Sequence, residues 1–196
     1  TIFGATATAF NVLDAEISQG LDILGATDDN DPNVSRPAAD ADFTKMEFEY
    51  QRLQRYSPEV NILLGLTGQI SNQALYASEE FGVGGQAYGR GYDPSEILGD
   101  DGIAGKFELQ WNDPYEVSLL ETYQLYGFYD IGHIWNQDAS TASQRQESAS
   151  SAGLGVRGDF NEVTSAGLML AFPLNRDVQT MRDQDPRLFF NINRKF

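Results

Sequence analysis

The chain has 196 residues, no cysteine, one histidine and a formal charge of −16, from 29 acidic against 13 basic side chains. Zero Cys excludes a disulfide scaffold, a cysteine nucleophile and thiolate metal sites, and so acidic a chain is a poor partner for nucleic acid. With 12 Phe, 9 Tyr and 2 Trp it is too aromatic to remain disordered, and its length suits one domain or one barrel. No run approaches the roughly 18 apolar residues of a spanning helix. A spanning strand needs only about 10 residues with every second one apolar, so a membrane barrel remains open. The chain starts at Thr1 without an initiator Met or signal peptide, as a mature form or a fragment would.

Hydrophobic period two runs through almost the whole chain. Thr1 to Phe10 carries a weak, partial strand. Leu13, Ala15, Ile17, Leu21 and Ile23 then alternate with Asp14, Glu16, Ser18, Gly20 and Asp22. Met46, Phe48 and Tyr50 alternate with Lys45, Glu47, Glu49 and Gln51. Val60, Ile62, Leu64, Leu66 and Ile70 alternate with Asn61, Gly65, Thr67, Gln69 and Ser71. The clearest segment sets Ile103, Gly105, Phe107, Leu109 and Trp111 against Ala104, Lys106, Glu108, Gln110 and Asn112. Leu119 to Trp135, Ser148 to Phe160, Val163 to Pro173 and Arg187 to Phe196 complete about eight strands, or nine with the first. No segment reads as a helix.

Long and short connections alternate. Leu24–Asp42, Asn72–Gly102, Asn136–Glu147 and Leu174–Pro186 are long; Tyr56–Glu59, Asn112–Tyr115 and Asp159–Glu162 are tight. An antiparallel meander places every second connection at the same end, so long loops gather at one end and tight turns at the other. Outer-membrane barrels have this plan. A soluble up-and-down barrel is the alternative. Against it stand the wet polar faces of Gly, Asn, Gln and Thr. Aromatics also gather near strand ends (Tyr50, Tyr56, Trp111, Tyr123, Tyr129, Trp135, Phe160, Phe196), as girdles require.

Several constellations carry no chemistry on inspection. His133 faces outward beside Trp135 and reads as an interfacial residue. Asp29, Asp31, Asn33 and Asp40 match parts of a calcium loop, but Pro32 and Val34 stand where the turn needs freedom. The Gly82 to Gly91 cluster lacks Gly-Lys-Ser/Thr and enters a strand, unlike a phosphate loop. Glu47, Glu49 and Glu108 share the inward parity and line a wet lumen.

Residues 81–94 read Phe-Gly-Val-Gly-Gly-Gln-Ala-Tyr-Gly-Arg-Gly-Tyr-Asp-Pro and continue through Gly99-Asp100-Asp101-Gly102 into the next strand. This resembles the sixth extracellular loop of the two-partner secretion translocators (ShlB/FhaC/HecB-like haemolysin secretion/activation proteins), relatives of the BamA barrel. The elements are the pair Gly84-Gly85, the tip Arg90-Gly91-Tyr92 and the Gly99 to Gly102 lead-in. Gly89 stands where the family usually has Val. Phe128-Tyr129-Asp130-Ile131-Gly132 resembles the family's Phe-x-Asp-x-Gly motif, and the terminal Phe196 resembles the signal read by the barrel-assembly machinery.

The resemblance implies an all-β fold: an antiparallel transmembrane β-barrel over residues 1–196, about the C-terminal half of a sixteen-stranded barrel lacking its POTRA domains. Residues 72–102 would form a long extracellular loop folding into the lumen, with Arg90 paired to Asp130, Gly132 giving room, and Tyr92 stacking on the inner wall. The protein would be a non-enzymatic, monomeric pore in a Gram-negative outer membrane, without cofactor, metal or nucleic acid. It would pass an unfolded exoprotein, with lipid and the barrel-assembly machinery as further partners. A BamA-like insertase and a soluble ligand-binding barrel are the alternatives.

Overall fold

The computed structural model describes residues 1–23, 35–113, 120–138 and 145–195. In chain order the strands are β1 (Ile2–Ala5), β2 (Ala9–Gln19), β3 (Thr44–Arg55), β4 (Val60–Ser71), β5 (Phe81–Val83), β6 (Ile97–Gly99), β7 (Asp101–Asp113), β8 (Thr122–Trp135), β9 (Gln146–Asn161), β10 (Thr164–Pro173) and β11 (Arg187–Arg194). Nine of them form one sheet in sequence order, and β5 pairs with β6 in a separate small hairpin. Every neighbouring pair is antiparallel. β1 and β11 are the two free edges, so the sheet is an open, partial barrel.

The weak first segment resolves into β1 and the start of β2, separated by a turn at 6–8. One strand end differs from the periodicity. Leu21 and Ile23 lie beyond β2, because its last pair is Gln19↔Thr44 and β3 begins there. β8 starts at Thr122, which pairs with Asp159 of β9, and the expected start at Leu119 lies outside the described residues. The long connection between β4 and β7 is not structureless either, since it carries the β5–β6 hairpin.

Side chains sort by parity as a membrane wall requires. One face carries Ile17, Ile70, Leu154, Leu188, Phe190 and Ile192, each at least 59% exposed. In water such a surface would be an aggregation hazard; against lipid tails it is matched. Strands of 12 to 16 residues from β3 to β9, apart from the short hairpin, exceed the roughly 9–11 that a tilted spanning strand needs. Tyr50 and Tyr129 lie mid-strand rather than in a girdle. The Tyr50 hydroxyl donates to Asn11 Oδ1 at 2.8 Å, which satisfies it away from water.

The opposite, polar face carries the fold's buried residues. Phe81, Val83, Tyr88, Tyr92 and Ile97 from the long connection pack with Ala104, Ile134, Ala149 and Val178. The core is therefore a loop lying on the inner wall.

Candidate functional site: the seat of the long loop

The tip of the long loop is a set of tight reversals. The Gly84 amide donates to the Tyr88 carbonyl (2.8 Å) and the Tyr92 amide to the Gly89 carbonyl (2.9 Å). Gly84 and Gly89 adopt φ of +128° and +108°, a region that side chains rarely tolerate. These turns aim Arg90 at the wall. Gly91 approaches so closely that an added Cβ would lie 2.8 Å from Ser151 Cβ and 3.1 Å from the Pro173 nitrogen. Gly132 makes room for Val83, whose methyls would lie 2.5 and 2.7 Å from a Cβ there. Gly99 and Gly102 do the same for Ile134 and Phe81, and Gly85 lies over Pro94.

Arg90 is 7% exposed and Asp130 is fully buried. Arg90 Nε donates to Asp130 Oδ2 at 2.9 Å and Nη2 donates to Oδ1 at 2.8 Å, the planar two-point pairing that a lysine cannot make. The backbone amides of Gly89 (3.2 Å) and Arg90 (2.9 Å) donate to the same Oδ2. Nη1 donates to Glu108, which is 2% exposed. Glu108 also accepts from Arg157 Nη2 at 2.7 Å and Gln110 Nε2 at 2.8 Å. Two guanidinium groups thus balance two carboxylates. Burial works against the Arg90 charge, but Asp130 and then Glu108 outweigh it and hold its pKa above the usual arginine value.

Aromatic rings support the cations. The Arg90 guanidinium lies 3.7 Å over the Phe128 ring and that of Arg157 lies 4.7 Å over Tyr126. Both rings occupy slots left by glycine: a Cβ on Gly153 would come within 2.5 Å of Phe128, and one on Gly155 within 2.4 Å of Tyr126. Tyr92 packs in the cluster with Ala104, Ile134 and Ala149 of the wall, and its hydroxyl proton is shared between the Ser150 carbonyl at 3.0 Å and Asn175 Oδ1 at 3.1 Å.

Three anchors had no counterpart in the sequence reading. Glu108 had a face but no partner, because joining it to Arg90 and Arg157 requires the loop path and the strand register. Asp93 accepts from Arg187 Nη2 at 2.6 Å, which fastens the tip to β11. Its two partners, Thr180 first and then Arg187, hold its pKa below the usual carboxylate range. At the loop end, Arg36 bonds Asp100 at 2.6 and 3.1 Å, Glu80 at 2.8 Å and Asp138 at 2.5 Å, gathering three connections. No signal joins Arg36 to Asp100 across 64 positions of sequence.

The His133 ring lies 4.4 Å from that of Trp135 on the outward face. Asp29, Asp31 and Asn33 lie outside the described residues, as does the proposed assembly signal Phe196. Among the described residues, no three His, Asp or Glu side chains gather as a metal group.

A lipid-facing meander with a loop on its polar inner wall defines part of an outer-membrane β-barrel. The chain belongs to the ShlB/FhaC/HecB family of haemolysin secretion/activation proteins, whose model matches residues 5–158. The outer membrane transporter CdiB of Dickeya dadantii (strain 3937) is 30% identical over 128 residues, which make up 64% of this chain and 22% of that protein. The solved structure of CdiB from Escherichia coli matches with a TM-score of 0.78 at 17% identity, over 99% of this chain and 35% of the solved one. That second likeness is one of fold. The chain thus spans only part of the length of either relative, and its family places it in the bacterial outer membrane.

Proposed function

We propose that the chain is part of a two-partner secretion pore that passes an unfolded exoprotein across the outer membrane, with the long loop as its internal lock. The observation that carries this reading is Arg90, a buried cation delivered by a loop to two carboxylates of the inner wall. A surface loop gains nothing from such a group, whereas a seated plug needs a strong, directional and reversible tie. Breaking a buried ion pair from one side costs about 3–5 kcal/mol, enough to set which loop position dominates. Transport would need no catalytic residue and no nucleotide; folding of the exoprotein outside would supply the driving force. The exoprotein and the barrel-assembly machinery are the partners this reading implies, with the pore acting as a monomer. In the full-length protein, Arg90→Ala should abolish secretion while the barrel still inserts, and Arg90→Lys should not restore it. Normal secretion by Arg90→Ala would remove the lock from the mechanism.

A further inference from the structure

Among the described residues, the four hydrogen bonds that Asp130 accepts all come from the loop: the Gly89 and Arg90 amides, Arg90 Nε and Arg90 Nη2. Glu108 differs, since Arg157 and Gln110 of the wall remain with it whatever the loop does. A loop that leaves its seat therefore takes the cation and the amide donors of Asp130 with it, and opens that carboxylate to the lumen without a counter-ion. The wall holds a cation in the right place. Asp130 has two cross-strand neighbours, Lys106 on β7 and Ser151 on β9. Directly opposite residues have Cβ atoms roughly 4.5–5.5 Å apart, well within the reach of a lysine.

With the loop seated, Lys106 makes no ion pair among the described residues. Its stem leans away from Asp130 across Gly65 of β4, where an added Cβ would meet Lys106 Cε at 2.6 Å. Its ammonium rests 4.7 Å over the ring of Tyr88, itself a loop residue. The loop thus brings Arg90 to Asp130 and Tyr88 to Lys106, and its departure removes both. Arg157 cannot serve, because it is opposite Gln124, six residues along β8 from Asp130, and is held by Glu108 and Gln124.

We propose that Lys106 is a stand-in counter-ion that swings from the Tyr88 ring to Asp130 when the long loop leaves, keeping the emptied wall neutral at that point. Lys106 is then a positioning residue for transport: it stabilises the unseated wall and contributes little to the seated one. Its flexible stem and single point charge suit a group that must exchange partners, as the rigid fork of arginine does not. The inference rests on the reading that the loop leaves its seat.

The test is a mutant cycle in full-length protein folded into lipid vesicles, reading the folded-to-unfolded ratio in urea. Arg90→Ala mimics loss of the seat. Lys106→Gln alone should change the ratio by less than about fivefold, the range of one cation–π contact. Combined with Arg90→Ala it should lose about tenfold or more beyond the product of the single effects. Asp130→Asn should abolish that excess, and Lys106→Arg in the Arg90→Ala background should not produce it. Multiplicative single effects, or an excess that survives Asp130→Asn, would overturn the proposal. If Arg90→Ala/Lys106→Gln does not insert, adding Asp130→Asn should restore insertion, and failure to do so is equally decisive against it. Secretion by Arg90→Ala tests the lock separately, because the cycle does not depend on transport.

Discussion

The seat can be overfilled by a single methyl group. In Gly132→Ala the new Cβ would stand 2.5 Å from Val83 Cγ1, 2.7 Å from Cγ2 and 3.1 Å from Cβ. Relaxed carbon contacts need about 3.5–4.0 Å, so the overlap is about 1 Å and both branches of the valine share it. Val83 is fully buried and its strand is paired to β6, which leaves neither a free rotamer nor a free backbone. Overpacking of this kind costs about 1–3 kcal/mol, and the loop can escape it by unseating. The ratio of seated to unseated loop should fall about 5- to 150-fold. Amide exchange at Gly89 and Arg90, whose N–H groups donate to Asp130, reads that ratio in full-length protein in lipid and should accelerate by the same factor. Val83→Ala removes both methyls and should restore protection to Gly132→Ala. Unchanged exchange in Gly132→Ala, or failure of Val83→Ala to rescue it, would refute the steric account of the seat.

Two further expectations concern the outer anchors. Arg36→Ala should loosen the three connections it gathers. The loss should stay below the roughly 3–5 kcal/mol of a fully orphaned buried charge, because Asp100 still accepts from the Leu75 and Gln137 amides; protease sensitivity near residues 72–80 reads it. Asp93 has a folded pKa below its ordinary value of 3.8. Its tie to Thr180 and Arg187 is therefore fully present above that value and is lost as pH falls through the lower, folded one. Exchange of the 177–182 amides should stay slow through pH 4 and rise only below it, and Asp93→Asn should remove that step.

Parity along each strand is a local property, written in the sequence by alternating side chains. Periodicity therefore placed Lys106, Glu108 and Gln110 on the inner face and Phe107, Leu109 and His133 on the outer one without coordinates. The motif glycines were equally legible, since Gly84, Gly89, Gly91 and Gly132 mark sharp turns or close approach. The β5–β6 hairpin was not: strands of three residues are too short to show a period.

The sequence by itself determined the meander, its lipid-facing side, the uneven ends and the two motifs that carry Arg90 and Asp130. Tertiary structure decided everything that depends on register and loop path. Only the β7–β8 pairing sets Lys106 opposite Asp130 and Glu108 opposite Phe128. Only the folded loop shows that Asp130, among the described residues, takes its hydrogen bonds from that loop while Glu108 keeps partners on the wall. Alternation fixes which way a side chain points, whereas long-range pairing fixes what it meets, and the chemistry of this site lies in the meeting.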